Sequence, residues 1–183
     1  MTIFAWTYDM SREEWLKLRT QGIGASDAAA VIGEHPYRSP MEVYLEKIGE
    51  MPEPTENEKM VWGNKLKNAI AQHFTESTGW KIRRRNAILR HPTHPFLLAT
   101  PDRMLVGKQT GLLCKVTGEF MKDAWESGVP HYITVQCQHL MAVTKAAEWW
   151  VAVLIGGNKY RHFRVQRDDT LIKRLLTETE AFW

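Results

Sequence analysis

Ala99-Thr100-Pro101-Asp102-Arg103 and, a short way on, Gly111-Leu112-Leu113-Cys114-Lys115 are the segments on which the reading of this chain turns. Each has strand character, and the two are near enough in sequence to lie side by side. The first delivers an aspartate directly after a proline; the second delivers a lysine just beyond an apolar run. Carboxylates on adjacent strand ends can hold a divalent cation, while a lysine beside them orients an attacking water. The aspartate, Asp102, and the lysine, Lys115, are both present, but the position two before the lysine, where a second carboxylate belongs, is Leu113. The pattern predicts a hydrolytic metal site with part of its ligand set removed.

Around this pair, residues 82–89, 96–105 and 111–117 read as a three-strand meander, the first turn being His91-Pro92-Thr93-His94-Pro95. Helices precede it. Ser11-Arg12-Glu13-Glu14 is a capping box opening a helix to Arg19, which Gly22-Ile23-Gly24 breaks. Ser26-Asp27 can cap an alanine-rich helix over 28–32 that Gly33 ends. Ser39-Pro40-Met41-Glu42 joins a capping serine, a first-turn proline and a glutamate, predicting a helix to Ile48 with Gly49 as its stop. Met51-Pro52-Glu53-Pro54 resembles a linker but is too short to separate domains. Thr55-Glu56-Asn57-Glu58 reads as a third capping box, starting the longest helix, with Trp62, Leu66, Ala69, Ile70, His73 and Phe74 on its buried face and Gly79 at its end. After the meander come a less regular piece over 120–129, a helix over 131–144, and strands over 149–155 and 160–166 about a Gly156-Gly157-Asn158-Lys159 turn. A last helix spans 168–182. This order predicts one domain over 1–183, of α/β (α+β) class, with a central mixed sheet flanked by helices.

The 183 residues are 44% apolar and 25% charged, a globular composition, and a net charge of +3 excludes a strongly basic DNA-coating protein. The positive charge is clustered, however. Lys81-Ile82-Arg83-Arg84-Arg85 is either a solvated strand face or part of a groove that tracks phosphates. Cys114 and Cys137 have neither zinc spacing nor the density of a secreted scaffold, so buried free thiols in a reducing compartment are expected. No charged segment followed by an apolar core opens the chain and no apolar run approaches membrane-spanning length, so a cytoplasmic protein without a membrane partner is expected. His91, His94 and His139 make no metal set, and Trp149-Trp150 read as packing residues.

A set of motifs is similar to the YqaJ-type viral recombinases, relatives of phage λ exonuclease. They are Arg19-x-x-Gly22-Ile23-Gly24-x-Ser26-Asp27, Pro36-Tyr37-Arg38-Ser39-Pro40, Trp62-Gly63-x-x-Leu66, Pro101-Asp102-Arg103, Cys114-Lys115 and Gln136-x-Gln138-His139-x-Met141. The order and spacing hold over nearly the whole chain. The resemblance implies a restriction-endonuclease-like core and a Mg²⁺-dependent exonuclease of phage recombination in a bacterial host cell, often assembled as a ring-shaped oligomer. It places the metal-binding aspartate on Asp102 and the catalytic lysine on Lys115. It places one metal carboxylate on Leu113 and a helix glutamate on Lys67. It also implies a pocket for a terminal 5′-phosphate made by Arg19, Ser26, Thr100 and Gln138, although Ser26 serves equally well as a helix cap.

A lone Asp102 near Lys67 and Lys115 is a poor magnesium site, so Lys67 is expected to pair with Asp102 and Leu113 to pack into the core. Glu58, Glu119 and Asp123 are the other candidate ligands. The expected protein is therefore a nuclease-fold protein that binds duplex DNA ends or docks on a host or phage protein complex without cutting, needs no cofactor, and is compatible with homo-oligomers. One alternative is a phage-encoded inhibitor of a host defence complex, anti-CRISPR-like, reusing the fold. Another is an active Mg²⁺-dependent 5′-3′ double-strand exonuclease.

Overall fold

Proline cannot give an N–H to a sheet ladder, and at Thr100-Pro101-Asp102 the chain leaves one sheet for another. The computed structural model describes residues 1–51 and 57–183. Its strands are β1 (Thr2–Trp6), β2 (Ile82–Arg83), β3 (Ala87–Arg90), β4 (Leu98–Ala99), β5 (Arg103–Leu105), β6 (Gly111–Thr117), β7 (Glu148–Ile155) and β8 (Lys159–Gln166). The first two strands of the expected meander are each split in two. β3 and β4 join β1, which the sequence pattern did not suggest, in an antiparallel sheet ordered β1-β3-β4. β2 and β5 join the mixed sheet β2-β5-β6-β7-β8, in which β6 and β7 run parallel and the other pairs antiparallel. The α/β class and the central mixed sheet are as the sequence implied.

The helices are α1 (Arg12–Arg19), α2 (Ala28–Val31), α3 (Pro40–Ile48), α4 (Glu58–Thr78), α5 (Lys122–Glu126), α6 (His131–Thr144) and α7 (Asp169–Phe182). Both complete capping boxes form: the Ser11 and Ser39 hydroxyls accept the Glu14 and Glu42 N–H groups, and each glutamate reaches back. Gly49 ends α3 in the left-handed conformation, φ 76°. α4 is capped by Asn57, whose side-chain oxygen accepts the Met60 N–H at 2.9 Å. Thr55 of the expected box, like Pro52-Glu53-Pro54 of the expected loop, lies outside the described residues. The buried stripe of α4 is narrower than its periodicity suggested: Ile70, Ala71 and Phe74 are buried and Leu66 packs beside them, while Trp62, Ala69 and His73 are exposed.

Side-chain alternation on β6 and β7 gives the mixed sheet two apolar faces. Leu112, Cys114 and Ala152 meet Ile70, Ala71 and Phe74 of α4. Leu113, Trp149, Val151, Val153 and Ile155 belong to the larger core with Ile133, Cys137, Leu140 and Met141 of α6. Gly111 starts β6 because nothing larger fits: a β-carbon there would stand 2.2 Å from the Trp149 ring. Leu113 and Lys115 thus look toward α6, and Asp102, at the change of sheet, sits beside them.

Candidate nucleic-acid cleft

A cleft of about 390 Å³ opens where the two sheets part, and its walls include Arg19, Ser26, Lys67, Thr100, Asp102, Leu113, Lys115 and Gln136. Asp102 follows the proline that breaks the strand, so its side chain is free of ladder geometry and turns back onto β6. Its Oδ2 accepts the Cys114 N–H at 3.0 Å. Its Oδ1 accepts from Lys67 Nζ at 2.9 Å, an ion pair in which the carboxylate is 14% and the lysine 36% exposed. Leu113 is buried in the core beneath. Lys115 donates to Gln136 Oε1 at 2.7 Å. Burial pulls the Lys115 pKa below its ordinary value; Asp102 works against that shift and Lys67 with it. Burial also pushes the Cys114 and Cys137 thiols up to about 12.

The Arg19 end of the cleft is organised by a residue that local sequence disguised. Asp27 precedes α2 but makes no side-chain cap. Its fully buried carboxylate instead binds Arg19 at 3.1 Å, Arg38 at 2.7 Å and Lys47 at 2.8 Å, and its Oδ2 accepts the Gly24 N–H at 3.1 Å. Burial alone would raise the Asp27 pKa, but Arg19, Lys47 and Arg38 outweigh it and hold the carboxyl well below the usual range. Glu46 lies 3.8 Å from Arg19 and also pairs with Arg38. Lys47 ties the network to the backbone by donating to the Arg19 carbonyl at 3.0 Å. Arg19 reaches the Ser26 hydroxyl at 3.3 Å and stacks over the Trp15 ring at 4.8 Å. The family resemblance pointed to Arg19 and Ser26; nothing local signalled that Arg38, Glu46 and Lys47 converge on the same carboxylate.

Of the phosphate set implied by the resemblance, Arg19, Ser26 and Thr100 line the cleft and Gln138 does not. Gln138 is buried; its amide donates to the Gln166 carbonyl at 2.8 Å and accepts the Asp168 N–H at 2.9 Å, tying α6 to the turn before α7. Gln136, one face of the helix away, is the glutamine in the cleft. His139 is also structural, its buried Nε2 donating to the Leu98 carbonyl at 2.9 Å.

Residues 14–147 match the model of the YqaJ-like viral recombinase domain. The chain belongs to that family. It is 38% identical to the uncharacterized protein YqaJ of Bacillus subtilis over 185 aligned positions, covering 99% of this chain and 58% of that one. It is 28% identical to an uncharacterized protein of Acanthamoeba polyphaga mimivirus, covering 77% of this chain and 28% of that one. The chain thus spans little more than half the length of the curated relatives it matches, or less. The fold is that of an alkaline exonuclease from Laribacter hongkongensis: TM-score 0.78, 24% identity, 93% of this chain and 90% of that one. A phage-related exonuclease from Haemophilus somnus superposes with TM-score 0.68 at 12% identity, covering 92% of this chain and 94% of that one.

The resemblance noted in the sequence implies a Mg²⁺ site, and the donor set of the cleft tests that expectation. A hard divalent cation exchanges its water for several oxygen ligands, carboxylates above all. Among the described residues no group of three or more His, Cys, Asp and Glu stands together. Among the described residues Asp102 is the only carboxylate lining the cleft, and both its oxygens already accept from protein donors. Glu58, Glu119 and Asp123 do not line it, and Glu119 is paired with Lys159 at 2.5 Å. These donors do not fit a divalent metal. What the cleft offers instead is cationic: Arg19, Lys67 and Lys115 line it with Asp102, and Asp27 stands behind Arg19.

Proposed function

We propose that this chain binds the 5′-phosphorylated end of duplex DNA in its cleft and does not hydrolyse it. The observation that carries the reading is the Lys67–Asp102 ion pair with Leu113 beneath it. An ammonium occupies the oxygen that a metal would need, and an aliphatic side chain stands where the family resemblance puts a second carboxylate. Arg19, Lys67 and Lys115 outnumber Asp102 and the Asp27 that backs Arg19, and this positive lining suits a dianionic terminal phosphate. The Arg19 guanidinium supplies forked donors, oriented from behind by Asp27 and from the side by the Trp15 ring; Ser26 and Thr100 add hydroxyls. Lys115 and Gln136 close the far wall. The Laribacter hongkongensis exonuclease, whose fold this chain shares, has also been crystallised with dAMP, a 5′-nucleotide, which supports a terminal nucleotide as the ligand class.

Hydrolysis by a rearranged site is the second reading, favoured by family membership and by the survival of Asp102 and Lys115. Binding and cutting are separable by experiment. Fluorescence anisotropy on blunt duplexes bearing a 5′-phosphate or a 5′-hydroxyl should show a preference for the phosphate of about tenfold to a hundredfold, the worth of one or two charge-assisted hydrogen bonds. Arg19→Lys, which keeps the charge and loses the fork, should erase most of it. Equal affinity for the two ends in the unaltered protein would reject the reading.

A further inference from the structure

The cluster Lys81-Ile82-Arg83-Arg84-Arg85 does not act as one stripe. Arg85 lies over the Trp6 ring at 5.8 Å, whereas Arg83 and Arg84 face α4 across a shallow depression lined also by Asn68, Gln72, Ile82 and Arg103. There Arg84 Nη2 and Arg103 Nη2 both donate to the single Asn68 Oδ1, at 2.8 and 2.5 Å. Among the described residues neither guanidinium has a carboxylate partner. The one acid at the depression's edge, Glu76, accepts from Gln72 at 2.9 Å and lies 3.6 Å from His73. Two like charges drawn to one neutral oxygen repel each other, and an anion bridging them would relieve that repulsion while using donors that remain free.

The position of this pair is as telling as its charge. α4 gives Lys67 to the cleft and the next residue, Asn68, to the depression; the chain at β5 gives Asp102 to the cleft and the next residue, Arg103, to the depression. The Arg103 guanidinium also donates to the Asp102 carbonyl at 2.6 Å, so its base is fixed to the cleft wall. The depression therefore adjoins the cleft, the two being lined by neighbouring residues of α4 and of the chain at β5. We propose that Arg84 and Arg103, splayed on Asn68 with Arg83 beside them, form a backbone-phosphate site for duplex DNA that works without a DNA end. It rests on the reading that the cleft receives DNA, and it extends the contact from the terminal phosphate to the duplex behind it.

The test uses a duplex closed by hairpin loops at both termini, which has backbone but no end, and anisotropy titrations of the full chain between about 50 and 200 mM salt. Removing two phosphate contacts lowers the slope of log K against log salt by about 1.8, so the advantage of the unaltered protein over Arg84→Ala/Arg103→Ala should shrink about twelvefold across that range. Asn68→Asp offers a variant that keeps both arginines and the fold while placing a carboxylate between them; it should weaken closed-duplex binding in the same sense. Unchanged affinity and slope in both variants, or no binding of the closed duplex by the unaltered protein, overturns the proposal. The 5′-phosphate preference on open duplexes reports separately on the end-binding reading, so either can fail while the other stands.

Discussion

Glutamate at both Lys67 and Leu113 should turn the cleft into a metal site, and the structure allows the effect to be sized. Lys67 Nζ stands 2.9 Å from Asp102 Oδ1. A dication taking that oxygen would sit about 4 Å from the ammonium, a repulsion of about 8 kcal/mol at an effective dielectric of about 20. Because Lys67 is 36% exposed and can swing outward, screening and relaxation reduce this to roughly 3 kcal/mol, still about a hundredfold in ion affinity. Lys67→Glu replaces the repulsion with attraction, and Leu113→Glu adds a second oxygen ligand from the strand beside Asp102. Leu113 is buried, so without metal its glutamate is uncompensated and the double variant should be less stable than the parent by about 2–4 kcal/mol. Bound Mn²⁺ should restore that stability. Calorimetric titration with Mn²⁺ and melting temperature against Mn²⁺ concentration measure the two effects. Leu113→Glu alone should gain less, because Lys67 neutralises part of the new site. A double variant that binds Mn²⁺ no better than the parent, or whose melting temperature ignores the ion, would refute the reasoning about which side chains deny the cation its place.

Three further outcomes follow from the buried groups. Asp27→Asn leaves Arg19, Arg38 and Lys47 facing only Glu46 and should destabilise the chain by about 3–5 kcal/mol in urea unfolding near neutral pH. Because the Asp27 carboxyl is held below its unfolded value, its contribution is full above about pH 4 and is lost as the pH falls further, so the gap between parent and variant should narrow in acid. Burial pulls the His139 pKa down to about 4; the unfolded chain takes up that proton first, and stability should fall as the pH drops from about 6.5 towards 4, less steeply in His139→Gln. With their thiols pushed up to about 12, Cys114 and Cys137 should resist a thiol-exchange reagent at mildly alkaline pH in the folded protein and react fully after unfolding.

Local chemistry was legible in the sequence and long-range convergence was not. The Ser39-Pro40-Glu42 start and Gly49 stop of α3 appear as read because caps involve only neighbours in sequence. Apolar residues on both halves make 96–105 look like one continuous strand; the break at Pro101 follows from the missing N–H, and it is this break that frees Asp102 to face β6. β1 escaped notice because it is a partly exposed edge strand without clean alternation. Gln136 and Gln138 show where helical phase fails as a guide. Two residues apart, they point to nearly opposite sides of α6, and that helix is buried over so much of its circumference that periodicity does not say which side is the cleft. Asp27 looked like a cap because its three cationic partners come from α1, α3 and the loop between α2 and α3.

The central claim is that an ammonium and an aliphatic side chain have taken the place of metal in this cleft. The measurement that bears on it most directly is release of nucleotides from a 5′-phosphorylated duplex incubated with the unaltered protein and Mg²⁺ or Mn²⁺, beside Asp102→Ala. The account predicts no release above the Asp102→Ala background with either ion. Metal-dependent release that Asp102→Ala abolishes would contradict it.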